Sequence, residues 1–295
     1  MVPHALRTAT GMVLPGPSVA RDRAARTGLP GAKGLFSARR TRKARPPVGR
    51  WRLDPAGGME FESVVFYGRL GEQALKMFGL EGELERWRGV KVLDCPGGPG
   101  SLPALLRSHG CAVTAVDPLY DLSLEELRRQ AIEDLETSMA VQAAGGDLRP
   151  DFDLEACRQE HLRTLDIFLA DREAYPTSYR AGALPNLPFA EGSFPLVLSG
   201  HLLISYAPSS EGGLLAGAGL DLAWHRKALA ELCRVSGGEV RLYPAHTVEP
   251  VVRRHPYAEA LLAELPPGWH GRFVERSYDQ GFAGRLEGLE LVRSP

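Results

Sequence analysis

The chain has 295 residues, 44% of them apolar and 24% charged, with a formal net charge of −1. That is enough for one large domain or two small ones around a sizeable core, and the balance is that of an ordinary globular protein. No apolar run reaches the length a membrane helix needs, and the four cysteines (Cys95, Cys111, Cys157 and Cys233) form no C-x-x-C pair, so neither a zinc ribbon nor a dithiol redox site is indicated.

The near-neutral total conceals an asymmetry. Residues 1–50 hold nine Arg and two Lys against one acid, Asp22, which leaves 24 basic and 35 acidic residues for the rest. An acidic body is a poor surface for phosphate neutralisation, so no nucleic-acid partner is expected. Residues 1–55 are rich in Arg, Gly, Pro and Ala without a hydrophobic period, a composition that predicts disorder. Three readings of this leader stand: an organelle transit peptide, a basic tail, or an upstream start with the working protein beginning near Met59. Serine is sparse in it, at Ser18 and Ser37, and no apolar core follows the basic residues, so a secretory signal is not indicated. A cytoplasmic protein is expected, or an organellar one, such as plastid, if the leader is a transit peptide.

Beyond the leader the pattern becomes regular. Apolar groups at helical spacing predict a helix over 61–79, stopped by Gly79. Residues 90–95 (VKVLDC) read as a buried strand that runs into a glycine-rich turn. A helix over 101–109 follows, with Ser101 as N-cap and Pro103 in its first turn. Residues 112–117 (AVTAVD) read as a second strand, completing a βαβ unit. Residues 121–173 are charged and mostly helical, longer than one crossover needs, and read as a helical insertion whose charges are solvated faces. A buried strand over 194–200, a helix over 221–235 capped by Asp221, and a strand over 239–243 come next. A helical stretch over 251–264 and closing strands near 272–277 and 287–293 end the chain. Strands alternating with helices imply a mostly parallel α/β sheet covered on both faces.

The informative segment is Val92-Leu93-Asp94-Cys95-Pro96-Gly97-Gly98-Pro99-Gly100-Ser101. A strand that turns through glycines into a helix lets a ligand approach the backbone closely. The dinucleotide fingerprint G-x-G-x-x-G fails here, because Pro103 stands at its third position, and no Gly-Lys-Ser/Thr of a P-loop occurs. Asp94 just before the turn opposes a pyrophosphate by charge. It suits a ligand without phosphate that carries an ammonium and a sulfonium, such as S-adenosylmethionine (SAM). Asp117 ends the next strand, where an acid accepts hydrogen bonds from ribose hydroxyls.

VLDCPGGPGS resembles the first motif of class I SAM-dependent methyltransferases, and AVDP resembles their ribose-binding motif. LPNLPFAEGSFPLVLSG resembles the passage into their fourth strand, and HRKALAELCRVSGGEVRLYPA their following helix and fifth strand. The resemblance covers roughly residues 61–293, with the motifs in order; DCPGGPGS, DPLYDLS, SGHLLISY and EVRLYP look like an uncharacterised bacterial and cyanobacterial branch. It implies a Rossmann-like sheet of seven strands in a domain over 56–295, carrying a helical insertion over about 121–173. It implies SAM as cofactor, held by Asp94, Pro96, Gly97, Gly98, Gly100, Asp117, Pro118, Leu187 and Ser199. The chain departs from the family in having Pro96 for the first glycine of the turn, Ala183 for the acid before L-P-F, and Pro195 for the Asp of S-F-D-L-V.

Methyl transfer from a sulfonium depends chiefly on positioning, and a base is needed only when the acceptor must lose a proton. His201, just past the fourth strand, is the candidate base, against the plainer role of a hydrogen-bonded wall residue. Tyr206 is a candidate wall of the acceptor pocket or simple packing. Tyr120 stacks on adenine or anchors its loop. His225 reads as a surface or groove residue, and His161 with Cys157 as structural, since further ligands at metal spacing are missing. Glycines over 212–219 in the loop 207–220 suit a mobile lid. An N-P-P-Y-type motif is absent after the fourth strand, which with the acidic body favours a small-molecule acceptor. The alternatives are a non-catalytic SAM- or nucleoside-binding regulatory module and, disfavoured by Pro103, a Rossmann oxidoreductase.

Overall fold

A computed structural model of the chain describes residues 51–53, 59–144, 148–216 and 220–294. Residues 1–50 of the expected leader lie outside the described residues; Trp51–Leu53 pairs antiparallel with Met59–Phe61.

Seven strands build the central sheet: β1 (Lys91–Asp94), β2 (Ala112–Asp117), β3 (Tyr179–Ala181), β4 (Phe194–Gly200), β5 (Ser236–Tyr243), β6 (Trp269–Glu275) and β7 (Glu287–Arg293). Their order across the sheet is β3-β2-β1-β4-β5-β7-β6. β1 to β5 are parallel, and β7 runs antiparallel to both of its neighbours. This is the mostly parallel Rossmann-like sheet that the sequence predicts. Among the described residues six α-helices accompany it: α1 (Gly71–Phe78), α2 (Leu102–Ser108), α3 (Leu124–Ala144), α4 (Leu154–Ala174), α5 (Leu222–Val235) and α6 (Pro256–Ala263).

Alternation along the strands sorts the core into two layers. Val92, Leu196 and Leu198 face α1 and α2, where Phe78, Leu102 and Leu106 meet them. Leu93 and Val197 face α5 and α6, packing with Leu229, Leu232 and Leu261. Each of these side chains is almost fully buried, so trimming one to alanine costs about 2–5 kcal/mol. The two layers put crossover helices on opposite faces, so the strand order reverses at β1. The C-terminal tips of β1 and β4 therefore mark the switch point, the place where open α/β sheets bind ligands.

Several element ends follow the expected chemistry. Asp221 caps α5 by accepting from Trp224 N at 2.8 Å, and Gly79, with φ 62°, closes α1 in the left-handed conformation. α3 and α4 pack against each other, with the ion pair Arg128–Asp166 between them. Their inner residues Leu127, Leu165 and Phe168 pack with Ala115 of β2, Tyr120 and Tyr179. Pro195, lacking an N–H, sits at a register shift in the β4–β5 pairing, between Phe194 and Leu196. Among the described residues no helix is long and apolar enough to cross a membrane.

The largest departure from expectation is the helix predicted over 61–79, which forms only over Gly71–Phe78. Residues 62–70 are irregular instead, and tertiary hydrogen bonds take the place of helical ones. Val65 N donates to the Tyr206 hydroxyl at 3.3 Å and Phe66 N to Asp134 Oδ2 at 2.6 Å. Gly68 O accepts from His161 Nδ1 at 2.6 Å, and Arg69 O accepts from Ser101 N at 3.1 Å. The predicted helix over 251–264 is shortened likewise, to α6, because residues 251–252 pair with 283–284.

Candidate active site

The glycine turn leaves β1 beside β2, and backbone bonds shape it. Gly97 N donates to Val116 O at 2.8 Å and Gly100 N to Gly97 O at 3.3 Å. Gly98 takes φ 51°, which a glycine adopts without steric cost. A side chain at Gly97 would meet the Tyr120 hydroxyl at 2.5 Å. Tyr120 is therefore the anchor of its loop: its ring lies among Phe168 and Tyr179, and its hydroxyl donates to Gly98 O at 2.6 Å.

The two expected aspartates share the C-terminal end of the sheet. Asp94 pairs in register with Ala115, two residues before Asp117 on the neighbouring strand. Their surroundings differ. Asp117 accepts from Gly98 N at 3.2 Å and Leu119 N at 2.9 Å. Burial pushes its carboxyl up to about 6, with the two N–H bonds pulling the other way. Asp94 is 5% exposed, and among the described residues no hydrogen bond reaches its carboxyl. Burial, with the Asp117 charge added, pushes it up to about 8. An acid in this state carries its proton at neutral pH and gives it up when a cation arrives. Pro96 and Gly97 continue from Asp94 into the turn, and Pro118, exposed, opens the short 3-10 turn after Asp117.

Segment 65–69 crosses over this turn as a strap. A Cβ on Gly68 would lie 2.3 Å from Pro99 O and 2.6 Å from Gly100 N, so only glycine allows the strap to seat so closely. The space left beside it, lined by Phe66, Tyr67, Pro99, Ala131 and His161, is about 10 Å³, close to what one water needs. In this conformation the turn is covered. Ser101, expected as the cap of α2, makes no such bond; its hydroxyl accepts from Gly71 N at 2.8 Å and ties the start of α1 to the turn.

At the tip of β4 the chemistry is of another kind. Ser199 is 2% exposed, and its hydroxyl has no partner among the described residues; His201 Nε2 and the Ser205 hydroxyl are in the same condition. His201 and Ile204 hold φ 54° and 71°, left-handed values that cost a branched or bulky residue most. His225 keeps this turn in place. It is fully buried rather than a surface residue: its Nδ1–H donates to Asp221 O at 2.8 Å, and Nε2 accepts from Ile204 N at 3.1 Å. His201 lies edge-on to Tyr243 and Tyr278, with centroids 5.5 and 6.5 Å away. Burial first, then Arg69, His246 and His161, hold its imidazole well below the usual histidine range. Tyr206 is buried and carries the strap through its bond from Val65 N.

Leu187 stands apart from this group in its contacts. Its side chain belongs to the core with Leu184, Val116 and Phe194, and its N–H is held by Glu231 Oε1 at 2.6 Å. Nor is the loop after Tyr206 an open lid over its described part. Leu214 N bonds Ser205 O, Leu215 N bonds Ala207 O, and Phe61 exchanges bonds with Leu214 and Ala216. Residues 217–219 lie outside the described residues.

Sequence reasoning missed the strap and the groups it carries, Tyr67 and Arg69. Gly68 between large side chains was the available signal for a close backbone approach.

No family model matches the chain. An uncharacterized protein of Methanocaldococcus jannaschii is 24% identical over 192 residues, covering 63% of this chain and 80% of that protein. Among solved structures, magnesium protoporphyrin IX methyltransferase from Synechocystis with bound S-adenosylhomocysteine (SAH) is 14% identical, with TM-score 0.39, over 76% of this chain and 84% of that one. The 1,6-didemethyltoxoflavin-N1-methyltransferase of Burkholderia thailandensis, also with SAH, is 13% identical, with TM-score 0.39, over 76% and 77%. TM-scores below 0.5 carry no weight for chemistry, which is read from the strand tips themselves.

Proposed function

We propose that this chain is a SAM-dependent methyltransferase of the class I kind, acting on a small-molecule acceptor. The observation that carries the reading is the pair of buried aspartates at neighbouring strand tips, flanking a glycine turn whose own residues, 94–101, include no basic side chain for a phosphate. Asp94, short of donors and carrying its proton, is the partner for the ammonium of the methionine end. Asp117 holds the ribose hydroxyls with lone pairs left over from its two N–H bonds. Pro96, Gly97, Gly98 and Gly100 form the floor, Pro118 the rim and Ser199 the side toward β4. Leu187 supports the adenine side from the core. The motif order along residues 61–293 supports the same assignment.

The residues fit this cofactor in charge and placement, and the strap sets the condition for its entry: segment 65–69 lifts, then closes and excludes water. When bound, the sulfonium supplies an electrophilic methyl group to an acceptor lone pair. The chain's own contribution is position. His201, at the tip of β4, has an Nε2 without a partner and is the proton acceptor on that side where the acceptor must lose a proton. Tyr206 acts through the strap, which its hydroxyl holds.

Calorimetry against SAM, SAH and NAD(H) tests the proposal. Binding of SAM and SAH is expected; binding of NAD(H) alone would end it. Asp117→Ala should weaken SAH by about tenfold, the value of one charged hydrogen bond, and unchanged affinity would refute the ribose role.

A further inference from the structure

Arg69 is a cation without an anion. It sits on the strap, half-buried, and its neighbours are neutral. Its Nε donates to the Tyr278 hydroxyl at 2.7 Å, one terminal nitrogen reaches His161 Nε2 at 3.5 Å, and its guanidinium carbon lies 4.4 Å over the Tyr67 ring. Among the described residues no carboxylate lies within ion-pair distance of it. His161 spends its Nδ1 proton on Gly68 O, and burial and Arg69 keep its ring uncharged. Burial likewise keeps the Tyr67 and Tyr278 phenols protonated. The acids at hand are engaged elsewhere: Asp134 accepts from Phe66 N, and Glu160 from Gln73 Nε2 at 2.5 Å.

A partly buried cation with no counter-charge keeps N–H groups available to an anion. The Arg69 side chain leads away from the turn, to Tyr278, whose ring lies edge-on to His201 with centroids 6.5 Å apart. The cation thus belongs with the tip of β4, where the unpartnered His201 Nε2 and the aromatic rings of Tyr243 and Tyr278 lie. A guanidinium with spare N–H groups matches a planar carboxylate in both charge and shape.

We propose that the methyl acceptor is a small organic acid with a flat apolar body, whose carboxylate is held by Arg69 and the Tyr278 hydroxyl and whose body lies against Tyr67. This rests on the methyltransferase reading above.

The test uses the full chain, benzoate as the acid and benzamide as its neutral isostere, titrated into the SAH-saturated protein by calorimetry. Benzoate is expected to bind at least about tenfold more tightly than benzamide, one charge-assisted hydrogen bond or more. Arg69→Gln is expected to remove that preference while keeping SAH affinity. Equal binding of the two probes, absence of benzoate binding, or undiminished benzoate binding by Arg69→Gln overturns the proposal. So does a preference for SAM over decarboxylated SAM that Arg69→Gln abolishes, since the arginine would then serve the cofactor's own carboxylate. If Arg69→Gln does not fold, the wild-type comparison of benzoate with benzamide decides. Failure of wild type to bind SAH would sink the methyltransferase reading itself, a result distinct from each of these.

Discussion

The tips of β2 and β4 are built in opposite ways. At β2 the polar groups that shape the turn are paired: Asp117 takes two backbone N–H groups, Gly97 N reaches Val116 O, and the Tyr120 hydroxyl holds Gly98 O. At β4 the Ser199 and Ser205 hydroxyls and His201 Nε2 are buried without partners, on a turn with two left-handed non-glycine residues. Asp94, on the strand between them, sides with β4 in having no donor. A satisfied tip keeps its shape when empty, which is what a cofactor floor needs. An unsatisfied tip holds polar atoms and strain at the fold's expense, a pattern that belongs to groups awaiting a ligand.

Substitutions can break this contrast. The largest effect is expected at Asp94. Asp94→Asn should lower SAH affinity about a hundredfold at pH 8, the upper range for a lost charge-assisted bond. Wild-type affinity should rise with pH up to about 8 and then level, because the cation displaces the Asp94 proton. The variant should show a flat profile; a flat wild-type profile would remove Asp94 from the ligand's contacts.

Stability should move the other way at the same position. Asp94 has a folded value of about 8, above the ordinary 3.8. The folded state then binds more protons than the unfolded one between those values, and stability falls as pH rises through that window. Asp94→Asn should therefore stabilise the empty protein at pH 8, by about 1–3 kcal/mol in urea unfolding. A loss of stability would mean that the carboxylate is satisfied after all.

Asp117→Ala removes an acceptor from two N–H groups and should cost about 1–3 kcal/mol. Ser199→Ala, by contrast, deletes a hydroxyl with no partner and should be neutral or stabilising by about 0.5–1 kcal/mol. If the two substitutions destabilise equally, the difference between the tips is not real.

Much of the sheet was legible because local pattern and final structure agree. The apolar runs at 112–117 and 194–200 became strands with those bounds, and the helical period of LEELRRQAIEDLETSMAVQAA became Leu124–Ala144. The glycine turn and its two acids were readable because their spacing along one βαβ unit fixes where they meet. The strap was not. Its apolar spacing suits a helix, and only groups far along the chain (Asp134, His161 and Tyr206) draw its backbone out of one. The same holds for Arg69, whose partner Tyr278 lies 209 residues away. His225 has the appearance of a surface residue until Ile204 N is seen to need an acceptor.

One strap covers the glycine turn and carries Arg69 on the same short peptide. Under the reading proposed here, anything that settles this peptide for one ligand also presents the guanidinium to the other. The two occupants would then help each other energetically, and by linkage the factor would be identical in both directions. That coupling would need no communication beyond five residues.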